Sequence, residues 1–199
     1  MVHLTGLRWY AMAAKKAAKK AAKKSAKEHG KKHHEGKDLR RAYEHMGRLA
    51  GLEKLMAAGV AAQIEVLSDL AQRSLLAGES KSAADLLRAA EHLGFGSLAS
   101  QAKATRLSEE LVAGLNEEYE RLVDKAEEHW ERHAGDRPVA VEEVYEAMVE
   151  AASAAYGKGA YRRALEFARG AEALAHVRGG EGVALIEAEG GKKAKRLRG

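Results

Sequence analysis

Alanine occupies 41 of the 199 positions, and proline only one, Pro138. Alanine is the strongest helix former and proline the strongest breaker, so the chain is constrained toward α-helix over almost its whole length. With two Phe, two Trp and six Tyr, bulky side chains are too few to fill a thick core. Helices must instead approach closely over Ala and interlock through Leu stripes. The expected fold class is all-α, antiparallel helical hairpins of about six helices with flexible basic termini.

Apolar residues at three- and four-residue steps place the helices. Leu39, Tyr43, Met46, Leu49 and Leu52 predict a first helix over 38–58, broken by Gly59. Ile64, Leu67, Leu70 and Leu75 predict a second over 60–77, stopped by Gly78. Ala83, Leu86, Leu87, Ala90 and Leu93 predict a third over 81–93, closed by Gly94-Phe95-Gly96 with glycine in the left-handed C-terminal conformation. Ser97 is the expected cap of a long segment over 98–133, continuous or bent near Gly114. Pro138 suits a first helical position. Val141 to Ala155 predict a fifth helix ended by Gly157 and Gly159, and Ala164 to Leu174 a sixth closed by Gly179-Gly180. A short piece, 181–189, is expected to pack as a final turn.

Charge is segregated along the chain. Residues 1–41 carry thirteen Lys/Arg against three acids, residues 190–199 carry five against none, and the whole chain is +5, which leaves −10 for residues 42–189. Residues 13–37 are a low-complexity Lys/Ala run with no apolar face, expected to be largely disordered in water because its lysines repel one another. Three regions follow: a basic arm, 1–37; an Ala-rich helical-hairpin domain, 38–189; and a basic tail, 190–199. Met12 opens the Lys/Ala run and is a plausible alternative start, with Met1–Ala11 then an extension.

Two segments match without a gap at an offset of 81: Gly78–Leu93 and Gly159–Leu174. Gly78/Gly159, Ala83/Ala164, Arg88/Arg169, Ala90/Ala171, Glu91/Glu172 and Leu93/Leu174 are identical, and Lys81/Arg162 and Asp85/Glu166 keep their charge. The spacing Gly159, Tyr161, Ala164, Ala171 resembles the second half of the tetratricopeptide helical hairpin. Gly78, Ala83 and Ala90 match it less completely, because Ser80 stands at the aromatic position. The family's Trp and closing Pro are missing, and an offset of 81 is not a multiple of its repeat. The resemblance implies a protein-binding surface and no catalysis. Separately, the Lys/Ala arm is similar in composition to linker-histone tails.

The chain has no cysteine, which excludes disulfides and thiolate metal sites. No apolar run approaches a membrane span, and no secretory signal is visible, so a cytoplasmic location is expected. His129 and His133 share a helical face, with Asp136 as the only further ligand in view; a solvated helix end is the plainer reading, and no metal site or cofactor is expected. His29, His33 and His34 add charge to the arm at mildly acidic pH. Arg169/His176 and Arg40/His45 fit the Arg-x4-6-His spacing of HEPN-type ribonucleases, whereas Arg88/His92 does not. That makes a HEPN-like ribonuclease a minor alternative.

The expected function is therefore non-enzymatic. Lys15, Lys16, Lys19, Lys20, Lys23, Lys24, Lys27, Lys31 and Lys32 of the arm are the candidate nucleic-acid-binding residues, with Lys192, Lys193, Lys195, Arg196 and Arg198 of the tail. Binding to DNA or RNA would be nonspecific and salt dependent, because the run lacks aromatic platforms for reading single strands. The helical body would dock a protein partner or another copy. The alternative is a tetratricopeptide-like adaptor whose tails only aid solubility.

Overall fold

A computed structural model describes residues 36–52, 55–105, 107–133 and 137–178. The chain divides into two units, Met1–Asp38 and Leu39–Gly199. Apart from 36–38, all described residues lie in the second. Among them are six helical segments and no strand: α1 (36–52), α2 (Ala58–Leu76), α3 (Ser80–Leu98), α4 (Glu109–Arg132), α5 (Val139–Gly157) and α6 (Tyr161–Ala175). The fold class is all-α, as the composition predicts.

The offset of 81 is written into the backbone. After α2, Gly78 N–H donates to Leu75 O, Glu79 N–H to Ser74 O and Ala83 N–H to Glu79 O; after α5, Gly159 donates to Tyr156, Ala160 to Ala155 and Ala164 to Ala160. Every donor and acceptor of the second set lies 81 positions beyond its counterpart. This is the Schellman ending, in which a left-handed residue lets two amides turn back onto the last carbonyls. Gly78 and Gly159 supply it, with φ of +78° and +70°.

α3 and α6 form the middle of the unit. α2 packs on α3, while α4 and α5 both pack on α6. Contacts between α3 and α6 run in reverse order: Arg88 reaches Glu172, His92 reaches Glu166, and Arg163 donates to the carbonyls of Ser97 and Ala99. The two helices are therefore antiparallel. Alanine permits the close approach: Ala83, Ala89, Ala90, Ala164 and Ala173 are fully buried, interleaved with Leu86, Leu87 and Leu174. Among the described residues no helix is long and apolar enough to cross a membrane.

Three expectations change. Gly94 and Gly96 do not end the third helix, which runs on to Leu98. A Cβ on Gly96 would lie 2.8 Å from the Phe167 ring, and one on Gly94 would lie 3.4 Å from Met56 Sδ. Gly96 is bare because the Phe167 ring presses on the helix there, whereas at Gly94 a Cβ would make ordinary contact. Ser97 consequently caps nothing, and its hydroxyl donates to Gly94 O within α3. Residues 99–105 and 107–108 are not helical. Ser108 is the N-cap of α4, its Oγ accepting the Leu111 N–H at 3.3 Å, and Gly114 passes without a break. Finally, Gly59 lies in the first turn of α2 and does not end α1. Residues 53–54 and the piece 181–189 lie outside the described residues.

Candidate functional site

The lysines and arginines assigned to nucleic acid, Lys15 to Lys32 and Lys192 to Arg198, lie outside the described residues, as do His29, His33, His34 and Asp136. Within the body, two features stand out: a polar seam at α3–α6 and a groove between α4 and α5.

The seam joins three carboxylates to three histidines. His45 of α1 lies 2.5 Å from Glu91 of α3, where Arg48 adds a second partner at 2.8 Å. His92 of α3 lies 2.8 Å from Glu166 of α6. Glu172 of α6 takes His176 at 3.2 Å and Arg88 at 3.0 Å. The His176 hydrogen bond and the Arg88 charge overcome burial and hold the Glu172 carboxyl at about 2. The His92 hydrogen bond likewise lowers Glu166. Asp85 faces the same seam with Oδ2 buried and lacking a hydrogen bond, and burial pushes it up to about 6 against the opposing charges of His176, Lys81 and Arg88. These pairs join α1 to α3 and α3 to α6.

The Arg/His pairs do not converge. Arg169 reaches Glu118 at 2.6 Å and Glu166 at 3.3 Å, whereas His176 takes Glu172; Arg40 pairs with Glu44, whereas His45 takes Glu91. His129 packs on the His176 ring at 4.1 Å. Burial and the neighbouring His176 lower its pKa. Among the described residues no group of three or more His, Asp or Glu is placed to hold a metal ion.

The α4–α5 groove is built by aromatic pairs. Tyr119 of α4 stacks on Tyr156 of α5 at 4.1 Å and 9°, and Trp130 stacks on Tyr145 at 3.6 Å and 2°. Arg137 covers the other face of Trp130 at 3.8 Å. Its guanidinium also donates to the His129 and Trp130 carbonyls of α4 and the Ala175 carbonyl of α6. A buried cation thus closes two helix C-termini at once, where their unpaired carbonyls concentrate negative charge.

Between the two stacks a cavity of about 180 Å³ remains, walled by Val123 and Val149 beside Tyr119 and Tyr145, with Ala168 and Ala171 of α6 as floor and Glu127 at its mouth. Burial raises the phenols of Tyr119 and Tyr145, the latter to about 12, and the Glu127 charge adds to both. The groove has a repeat-related sister between α1 and α2. Met46, Ile64, Ser68 and Leu87 line that one at the positions of Glu127, Tyr145, Val149 and Ala168, and it is wider, about 570 Å³. A third hollow, about 620 Å³, opens at the start of α6, lined by Phe95, Leu98, Leu107 and Tyr161 together with alanines and polar residues.

The aromatic pairing was not foreseen, yet it has a signal. Tyr119 and Trp130 are eleven residues apart, and so are Tyr145 and Tyr156. Two antiparallel helices with equal spacings bring both pairs face to face. Comparison with protein-family models, curated proteins and solved structures finds no match for this chain.

Proposed function

We propose that this is a non-enzymatic, nucleic-acid-associated helical protein, whose lysine-rich arms bind phosphates without sequence preference and whose helical body is a docking module. Charge segregation carries the reading. Residues 1–41 hold +10 and residues 190–199 hold +5, and the compensating −10 is confined to residues 109–157, which contain fourteen acids and four Lys/Arg. The rest of residues 42–189 is balanced. A polyanion thus meets attraction at the arms and repulsion at α4–α5, an arrangement that selects how such a protein sits on a charged polymer.

The test is a salt titration of fluorescence anisotropy with duplex DNA and with RNA. The full chain is compared with a full-length variant carrying Gln at Lys15, Lys16, Lys19, Lys20, Lys23, Lys24, Lys27, Lys31 and Lys32. The full chain is expected to bind with a slope of log K on log salt of several units, since each phosphate neutralised adds about 0.9. The variant is expected to lose most of that slope. Equal binding by both rejects the reading.

A second reading, a tetratricopeptide-like adaptor with solubilising tails, is favoured by the coincidence of the two turns at offset 81. It predicts a protein partner whose capture is unaffected by the Lys→Gln variant.

A further inference from the structure

We propose that the α4–α5 groove docks a lysine-rich basic polypeptide, one lysine side chain entering the slot between Tyr119 and Tyr145 with its ammonium against Glu127. This rests on the reading of the body as a docking module, and is independent of phosphate binding by the arms.

Size comes first. At about 180 Å³ the slot is smaller than the roughly 300–1,000 Å³ of sites that enclose a drug-sized ligand. It suits a single side chain. Chemistry narrows the choice. Ala168 and Ala171 present a floor without polar side-chain atoms, and Val123 and Val149 flank it, so the deep part of the occupant must be apolar. The mouth carries Glu127, and the walls carry aromatic rings, so the outer part must be cationic. An alkyl stem that ends in a charge is the side chain of lysine.

The walls need no ligand to hold them. Tyr119 is backed by Tyr156, and Tyr145 by Trp130, which Arg137 covers in turn. Binding therefore spends little on ordering the site. Electrostatics select a basic chain over an acidic or neutral one. α5 carries Glu142, Glu143, Glu146 and Glu150 and no Lys or Arg, and α4 exposes Glu120, Asp124 and Glu131 around Glu127. The sister groove serves as an internal contrast: it carries the carboxylates Glu65 and Asp69, but Met46 and Ile64 replace Glu127 and Tyr145 there, so it has charge without the aromatic ring.

The probe is a fluorescein-labelled peptide with the sequence of residues 13–32, added in trans to the full chain at low salt and followed by anisotropy. Glu127→Gln is expected to weaken peptide binding about three- to tenfold, and Tyr119→Leu by a similar factor, the range of one desolvated cation–π or ion-pair contact. Glu65→Gln, an equal loss of charge at the sister groove, should leave it unchanged. Circular dichroism establishes that each variant is folded. A peptide that binds all four proteins equally, or loses as much affinity with Glu65→Gln as with Glu127→Gln, overturns the site in favour of diffuse attraction. A peptide that fails to bind overturns the docking proposal outright. DNA binding by Glu127→Gln, measured in parallel, keeps the two readings apart: unchanged DNA affinity with weakened peptide binding supports this site, whatever becomes of the arms.

Discussion

Asp85 and Glu166 occupy the same place in the two repeats and behave in opposite ways. Glu166 has His92 as partner; the repeat-related partner of Asp85 is position 173, which is alanine. Burial, with no hydrogen bond to Oδ2, lifts Asp85 to about 6 despite the nearby positive charges, against an ordinary value of about 4. Between those values the folded chain holds a proton that the unfolded chain has released. Stability linked to this group is complete below about pH 4 and declines as pH rises through about 6. Asp85→Asn is therefore expected to raise unfolding free energy at pH 7 by about 1–3 kcal/mol and to give no gain at pH 4, measured by urea denaturation. An equal effect at both pH values would contradict this account. The repeat was legible in the residues, including its preserved acid. The divergence was not, because it depends on a side chain from a helix remote in sequence.

At the level of the helix, the misread glycines are the most instructive. A Gly-x-Gly after a Leu stripe predicts a C-terminus, because glycine weakens helices and favours left-handed turns. In α3 the same residues are helical, and at Gly96 Phe167 from α6 needs the space a Cβ would fill. Gly96→Ala is expected to cost about 1–3 kcal/mol by overpacking. Gly114→Ala, in α4 with nothing within 4 Å of the added carbon, should instead gain about 0.5–1 kcal/mol from helix propensity. Thermal unfolding of the two variants checks the contrast; two changes of the same sign would show that packing at Phe167 is not what excludes alanine. By comparison, Gly78 and Gly159 were read correctly as stops, because a Schellman turn is a local event that three or four residues decide.

Across the whole molecule, α3 and α6 are joined by carboxylates whose ionised form the fold favours. Glu172 titrates at about 2 and Glu166 is lowered as well. Their contribution is fully present above the ordinary glutamate value of about 4.3 and is lost as pH falls toward about 2. Acid unfolding followed by far-UV circular dichroism is expected to begin in that window. Glu172→Gln should cost about 1–3 kcal/mol at pH 7 and flatten the acid limb; an unaltered acid limb would place the sensitivity elsewhere. Helical class, the positions of most helices, the offset of 81 and the segregation of charge were determined by the sequence alone, because each follows from local propensity, from periodicity or from counting residues. Tertiary structure decided which carboxylate found a histidine, which glycine was a turn and which a contact, and that equal eleven-residue spacings would close a groove. Those outcomes depend on which faces meet when α3 and α6 pack, and packing is a property of pairs of helices that no single segment encodes.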